Sequence, residues 1–284
     1  MAASVPDLAG KRCFVTGAAS GIGRATAIAA ARRGADLYLT DISADGLQGT
    51  VEEIQAAGGR VTYWCPADIS DHDAVASLAA EIHRDHDSMD VVMNVAGISI
   101  WGSIDRLTHD HWQRVIDIDL IGPISVLESF VPPMIEAGRG GHIVNVSSAA
   151  GLLGLPWHAA YSAAKFGLRG VSEVLRFDLE RHGIGVSLVC PGGVKTPLVG
   201  TVEIVGVDSQ GPRIQKLKHR FEKRAVTPEH VAEKIIHGIE KNRYLVFTSR
   251  DIQLAFLLQR WFPPGYRAIM RLMNRQLVAV AERA

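Results

Sequence analysis

Cys13-Phe14-Val15-Thr16-Gly17-Ala18-Ala19-Ser20-Gly21-Ile22-Gly23 is a short apolar run with β-branched residues that stops at a glycine turn, and the alanine-rich stretch 24–33 follows it before Gly34. The apolar run predicts a strand, and the alanines with their terminating glycine predict a helix. Strand, glycine turn and helix in that order bring main-chain N–H groups and a helix N-terminus up to a pyrophosphate. Gly17 would permit the turn, Gly21 the close approach of phosphate, and Gly23 the packing of helix on strand. A glycine-rich turn without a ligand is the alternative reading, so the rest of the chain decides.

Moving outward, 35–40 reads as a second strand with Asp41 at its carboxyl end, 18 residues beyond Gly23. That is close to the ~20 expected of the acid that accepts hydrogen bonds from an adenosine ribose. A carboxylate there repels a 2′-phosphate and favours NAD over NADP. Asp41 also precedes a helical stretch, 44–57, so a plain N-cap is the competing role. A third strand at 60–65 leads to Asp68-Ile69 and a helix over 71–86, and a fourth at 90–93 ends at Asn94-Val95-Ala96-Gly97. The helical stretch 108–137 is interrupted by Gly122 and Pro123, which places a bend near Asp119. A fifth strand, 142–146, ends at Ser147-Ser148, and a long helix follows over 157–182. The stretch 185–190 is a sixth strand ending at Pro191-Gly192-Gly193, and a helix at 228–240 precedes a last strand at 244–247.

Strands alternating with helices of this length predict an α/β chain: a Rossmann-type doubly wound parallel sheet of about seven strands, with helices on both faces and a C-terminal helical extension. Residues 1–248 form the dinucleotide-binding catalytic domain in this reading, with a substrate lid over 196–227, and 249–284 the extension. Ligands on such sheets bind beyond the carboxyl ends of the strands. Gly17, Asp41, Asp68 and Asn94 all fall at those ends.

Tyr161 and Lys165 are four residues apart, on one face of a predicted helix. A fixed cation there stabilises the phenolate and lowers a pKa of ~10, so the phenol can exchange a proton near neutral pH. By itself the pair is a common accident of solvated helix faces.

Among the 284 residues, 30 basic and 30 acidic side chains cancel, which excludes a global field that recruits nucleic acid. Cys13, Cys65 and Cys190 lie in apolar runs that match no metal motif and read as buried free thiols in a reducing compartment. The first residues show no secretory signal, and no run of about twenty apolar residues predicts a membrane span, so the expected location is cytoplasmic. His83 and His86, like His109 and His111, are close in sequence, but no acidic or thiol partner completes a ligand set, and no metal is expected.

Taken together, these motifs resemble the short-chain dehydrogenase/reductase family. Residues 16–23 match its TGxxxGxG pattern, Tyr161 and Lys165 its YxxxK, and Ser148 stands 13 residues before Tyr161, where the family has its catalytic serine. Asn94-Val95-Ala96-Gly97 resembles the family's NNAG with the second asparagine replaced, and Pro191-Gly192 with Thr196 resembles its PGxxxT segment. The resemblance implies NAD lying across the strand ends: pyrophosphate over Gly17, Ser20, Gly21, Ile22 and Gly23, adenosine ribose on Asp41, and adenine beside Asp68 and Ile69. Asn94, Ala96 and Gly97 would line its middle, Tyr161 and Lys165 the nicotinamide ribose, and Pro191, Gly192, Val194 and Thr196 the nicotinamide. It also implies Tyr161 as proton donor and acceptor, Ser148 as hydrogen-bond partner of the same substrate oxygen, and Lys165 as the field that keeps Tyr161 reactive.

One position departs from the pattern. Asp119-Leu120-Ile121-Gly122 stands where the family has N-x-x-G at the helix bend, whose main-chain carbonyl holds a water leading to the lysine. Asp119 is either a tolerated substitute or a negative charge placed near Lys165.

Apolar residues of the lid, with Leu152, Leu153, Leu155, Pro156, Trp157 and Trp101, predict a pocket for a hydrophobic alcohol or ketone of sterol, retinoid, terpene or fatty type. Two long helices predict a homo-oligomer, dimer or tetramer. The extension carries an apolar stripe with Arg267, Arg271 and Arg275 on the other side of the helix, which suits packing on protein or peripheral contact with a membrane. An NADP-dependent carbonyl reductase and a non-catalytic NAD-binding sensor or scaffold are the competing functions.

Overall fold

The structure is a computed structural model and describes residues 5, 7–198, 202–207, 211 and 225–281. Seven parallel strands form one sheet: β1 (Arg12–Thr16), β2 (Asp36–Asp41), β3 (Arg60–Pro66), β4 (Val91–Asn94), β6 (Gly141–Val146), β7 (Ile184–Cys190) and β9 (Leu245–Phe247). Their spatial order is β3-β2-β1-β4-β6-β7-β9, and it reverses between β1 and β4, where α/β sheets open the crevice for a ligand. The strand sequences fit these positions. Every residue of β4, β6 and β7 is buried, as central strands covered on both faces require, whereas edge strand β3 alternates exposed and half-buried residues.

Alternate residues of each strand feed two cores. Cys13, Val15, Leu37, Leu39 and Met93 pack under α1 (Gly21–Ala31), α2 (Ala44–Ala56) and α7 (Pro228–Glu240), through Leu47, Ile54 and Ile235 among others. Phe14, Tyr38, Val92 and Ile143 pack on the opposite face under α3 (His72–Asp85), α5 (Gly122–Ala137) and α6 (Ala159–Asp178), with Phe14 stacked on Phe130 at 4.3 Å. Cys13 and Cys190 are buried free thiols and Cys65 is half-buried.

The predicted bend is a local change of helix type. After α4 (His109–Ile116) the chain takes one π-helical turn, Asp117–Ile121, before α5 begins. Pro123 has no N–H to return to the Asp119 carbonyl one α-turn back, which is why the regular ladder fails there.

A two-stranded parallel pair that the sequence pattern did not reveal joins β5 (Ile100–Trp101) to β8 (Glu203–Ile204). It ties the described part of the lid stretch to the loop after β4. The basic run 213–224 of that stretch, with Val199 and Gly200, lies outside the described residues. Two helices follow the sheet, α8 (Arg250–Trp261) and α9 (Pro263–Ala281). Among the described residues, no helix is long and apolar enough to cross a membrane.

Candidate active site

The glycine turn is held between two strand ends. Buried Thr16 closes β1, and its Oγ1 accepts the N–H groups of Val95 and Ala96 at 3.0 and 3.1 Å, fixing the turn after β4 against the turn after β1. Gly17 has φ +70°, and a Cβ on it would come within 2.8 Å of the Ala96 backbone. Gly21 has φ +52°, and a Cβ on Gly23 would collide with the Gly17 carbonyl. Ser20, in extended conformation, precedes α1 without capping it through its side chain, so the N–H groups of the first turn are left for another acceptor. A pyrophosphate is the anion that such an open, uncapped helix start fits, and the residues of the turn therefore suit a dinucleotide.

Asp41 closes β2 beside this turn. Its Oδ2 accepts the Ala19 N–H and its Oδ1 the Ser43 N–H, each at 2.9 Å. The N-cap of α2 is Ser43, whose Oγ accepts from Gly46 N–H at 3.3 Å, so the capping role considered for Asp41 belongs to its neighbour. Asp68 accepts both the N–H and the hydroxyl of Ser70, and Ile69 is buried under Gly122. Asn94 stands at the end of β4, with its main chain there. Its side chain turns into the interior, where Nδ2 donates to Asn145 Oδ1 at 2.9 Å and to the Pro123 carbonyl at 3.3 Å, leaving only its main chain at the strand end.

On the other side of the switch point, β6 ends at Ser147-Ser148 and α6 presents Tyr161 and Lys165 on one face. Ser148 Oγ accepts the Ala150 N–H at 3.1 Å, and its hydroxyl lowers the Tyr161 pKa. Lys165 is buried; its Nζ lies 5.7 Å from the Tyr161 ring centre and donates to the Val146 carbonyl at 3.2 Å. Asp119 meets it from the π-helical turn, with Oδ1 3.2 Å from Nζ and accepting the Ile98 N–H at 3.1 Å. Asp119 is fully buried, and among the described residues its Oδ2 has no hydrogen-bond partner. Gly97 lies against both groups: a Cβ there would clash with Asp119 Oδ1 and come within 3.3 Å of Nζ.

The electrostatics of this cluster correct one expectation. Lys165 was expected to hold the phenol below its usual range, but the Tyr161 pKa is raised: burial pushes it up, Asp119 adds to the rise, and Lys165 and the Ser148 hydroxyl only partly offset them. Burial pushes the Asp119 carboxyl up against the pull of Lys165. For Lys165, burial favours the neutral amine, but the charges of Asp119 and Tyr161 outweigh it and the pKa is raised.

Three residues before Tyr161, His158 completes the cluster and was not singled out from sequence. Its ring packs tilted against Trp101 at 4.4 Å, its centre is 6.3 Å from that of Tyr161, and burial pushes its pKa down to about 4. Neutral at physiological pH, it uses Nδ1 to donate to the Pro156 carbonyl at 2.7 Å. Its spacing from Tyr161 on one helix face was the signal available. Trp157, just before it, has φ +68°, uncommon for so bulky a residue.

The loop after β7 borders this cluster. The Pro191 carbonyl accepts the Ala149 N–H at 2.7 Å, a Cβ on Gly192 would press on Ile252 of α8, and Val194 is buried. The Thr196 methyl lies 3.2 Å from where a Gly21 Cβ would stand, so this loop closes over the glycine turn. From the lid stretch, the Val205 N–H donates to the Trp101 carbonyl at 2.8 Å, and Val205 packs in the apolar cluster that includes Tyr161 and Trp112. Among the described residues no group of three His, Cys, Asp or Glu side chains is placed to hold a metal.

Comparison with known proteins agrees with this geometry. The family profile described as short chain dehydrogenase matches residues 11–204. The chain is 34% identical over 265 residues to SadH of Mycobacterium tuberculosis, covering 92% of this chain and 94% of that one. The crystal structure of a short-chain dehydrogenase/reductase from Burkholderia phymatum in complex with NAD superposes with a TM-score of 0.82 at 28% identity, over 89% of this chain and 94% of that one. A Beutenbergia cavernae structure with NADP bound at low occupancy has a TM-score of 0.74 at 26% identity, over 86% of this chain and 96% of that one.

Proposed function

Since this chain belongs to the short-chain dehydrogenase family and is an NAD(P)-dependent oxidoreductase acting on CH–OH groups, we propose that it uses NAD to interconvert a hydrophobic alcohol and its carbonyl compound. The observation that carries this reading is the convergence of Ser148, Tyr161 and Lys165 at the strand ends beside the glycine turn. Gly17, Ser20, Gly21, Ile22 and Gly23 would hold the pyrophosphate, Asp41 the adenosine ribose, and Asp68 with Ile69 the adenine. Ala96, Gly97 and the main chain of Asn94 would line the centre, and Pro191, Gly192, Val194 and Thr196 the nicotinamide. When bound, the nicotinamide supplies or accepts hydride.

The residues of the chain manage the accompanying proton. Tyr161 takes the proton of the alcohol in oxidation and returns it in reduction, while the Ser148 hydroxyl holds the same oxygen and steadies its developing charge. Lys165 stays charged because the charges of Asp119 and Tyr161 outweigh its burial, and its field favours the phenolate. Asp119 works through Lys165 and is a positioning residue. The apolar wall supports the substrate class: Leu152 and Leu153 are buried, Leu155 packs with them, His158 and Val205 border Tyr161, and Trp101 lies against His158. The exposed apolar side chains Phe166, Val174 and Phe177 on α6 support assembly with further copies.

Hydrophobic alcohols screened with NAD, followed at the NADH absorbance band, test the reaction and identify the class. Tyr161→Phe is expected to fold, bind NAD and lose about 10²–10⁴-fold in turnover. Substantial residual turnover would sink the assignment of Tyr161, and faster turnover with NADP would sink that of Asp41.

A further inference from the structure

The described residues expose fourteen large apolar side chains, and seven of them are crowded into the last two helices and the residue between them: Leu254, Leu257, Trp261, Phe262, Ile269, Leu272 and Met273. These helices already have a packed side. Ile252, Ala255 and Phe256 of α8 and Tyr266 of α9 close on Leu152, Leu153, Leu188 and Cys190, and the Tyr266 hydroxyl donates to the Gly154 carbonyl at 3.2 Å. The exposed set is therefore additional to what docking on the domain uses. On α8, Leu254, Leu257 and Trp261 follow one another at three and four residues, a single stripe turned away from the packed side, with Trp261 75% exposed. On α9, Ile269, Leu272 and Met273 form an exposed face, with Arg267, Arg271 and Arg275 on the other side of the helix.

Charge selects the occupant. Residues 250–281 contain Arg250, Arg260, Arg267, Arg271 and Arg275 against the single acid Asp251, in a chain whose total is zero. In a two-fold contact each patch meets its own copy, so this surface would set arginines against arginines. An anionic lipid surface complements both features, with aromatic and aliphatic side chains entering the headgroup region and arginines meeting phosphate and carboxylate. The Trp261-Phe262 elbow, with the Arg260 guanidinium 5.8 Å from the Trp261 ring centre, has the amphipathic chemistry of an interfacial anchor.

We propose that α8 and α9 dock the protein in the plane of an anionic lipid bilayer surface, through the Leu254-Leu257-Trp261 stripe, the exposed apolar face of α9 and the arginines of both helices. The docked helices adjoin the catalytic cleft through their packed side, where Ile252 abuts Gly192 and Tyr266 holds the loop after Ser148. A substrate dissolved in the bilayer would then reach the cleft without crossing water. That consequence rests on the hydrophobic-substrate reading, whereas the docking does not.

Sedimentation of the full-length protein with vesicles of phosphatidylcholine alone, and of phosphatidylcholine with phosphatidylserine, tests the docking independently of any substrate. The expected result is association with the serine-containing vesicles at least tenfold stronger than with neutral ones, and reversed by salt. Arg267→Gln/Arg271→Gln/Arg275→Gln should weaken it about 100-fold, and Leu254→Ser/Leu257→Ser/Trp261→Ser should abolish it, both with unchanged NAD binding and unfolding temperature. Failure to sediment with anionic vesicles, or equal binding to both kinds, overturns the proposal. So does a triple serine variant that binds vesicles normally but elutes as a smaller oligomer, which would assign the stripe to contact between copies.

Discussion

Around Gly17, Gly21 and Gly23 the sheet edge offers open backbone and uncapped N–H groups, whereas around Lys165 it buries two opposite charges beside a half-buried phenol. The first region has to leave room, and an added methyl is its characteristic injury. The second must keep a charge balance away from water, where each ion is tolerable only because the other is 3.2 Å away. A substitution that removes one partner there is therefore felt in folding as well as in chemistry.

Lys165→Met should break this contrast most severely. It strands the Asp119 carboxylate in a fully buried site, which typically costs 3–5 kcal/mol, roughly half the stability of an ordinary domain. Denaturant unfolding should show that loss, and turnover should fall with it because Tyr161 loses its cation. Lys165→Met/Asp119→Asn should recover most of the stability and none of the turnover. If the single variant is as stable as the parent, the pair is not the buried ion pair its geometry indicates.

Asp119→Asn keeps the shape and removes the charge. Alcohol oxidation needs the phenolate, so its rate rises with pH towards the Tyr161 pKa, which stands above the usual phenol range. Asp119 is one of the two causes of that rise, and Asn in its place should move the alkaline limb of kcat/KM to lower pH by about one unit. Carbonyl reduction, which needs the protonated phenol, should change little near neutrality. An unmoved limb would mean that only the Asp119 main chain matters.

What was legible in the sequence follows the same division. Strand, glycine turn and helix could be read at β1 because the backbone itself imposes glycine where φ is positive or where Ala96 and Gly17 leave no room for a Cβ. The seven strands were legible from apolar or alternating runs between helices, and the bend near Asp119 from Gly122 and Pro123, though not that it is a π-helical turn. The short β5·β8 pair was not, since two residues carry no periodicity and its partners lie about a hundred positions apart. The direction of the Tyr161 shift was hidden for a related reason. Spacing reveals Lys165 one turn away, but the burial that outweighs it, and a carboxylate from another helix, exist only once the chain is folded. His158 was overlooked because a lone histidine on a helix is usually solvated, and its packing against Trp101 depends on a strand far upstream.

The nucleotide side should respond more gently, and Asp41→Asn measures how gently. Asn keeps a carbonyl oxygen able to accept one of the two N–H groups, Ala19 or Ser43, that hold the present carboxylate at 2.9 Å, so the turn should stay in place. What disappears is the negative charge that would stand beside a 2′-phosphate. At a site open to solvent such repulsion amounts to ~1–2 kcal/mol, so the preference for NAD over NADP, read as the ratio of kcat/KM, should fall about tenfold. Turnover with saturating NAD should stay close to that of the parent, since no group that moves the substrate proton has been touched. A preference that survives the substitution would shift the selection of cofactor from this charge to the shape of the turn, and would make the two halves of the site more alike than their burial indicates.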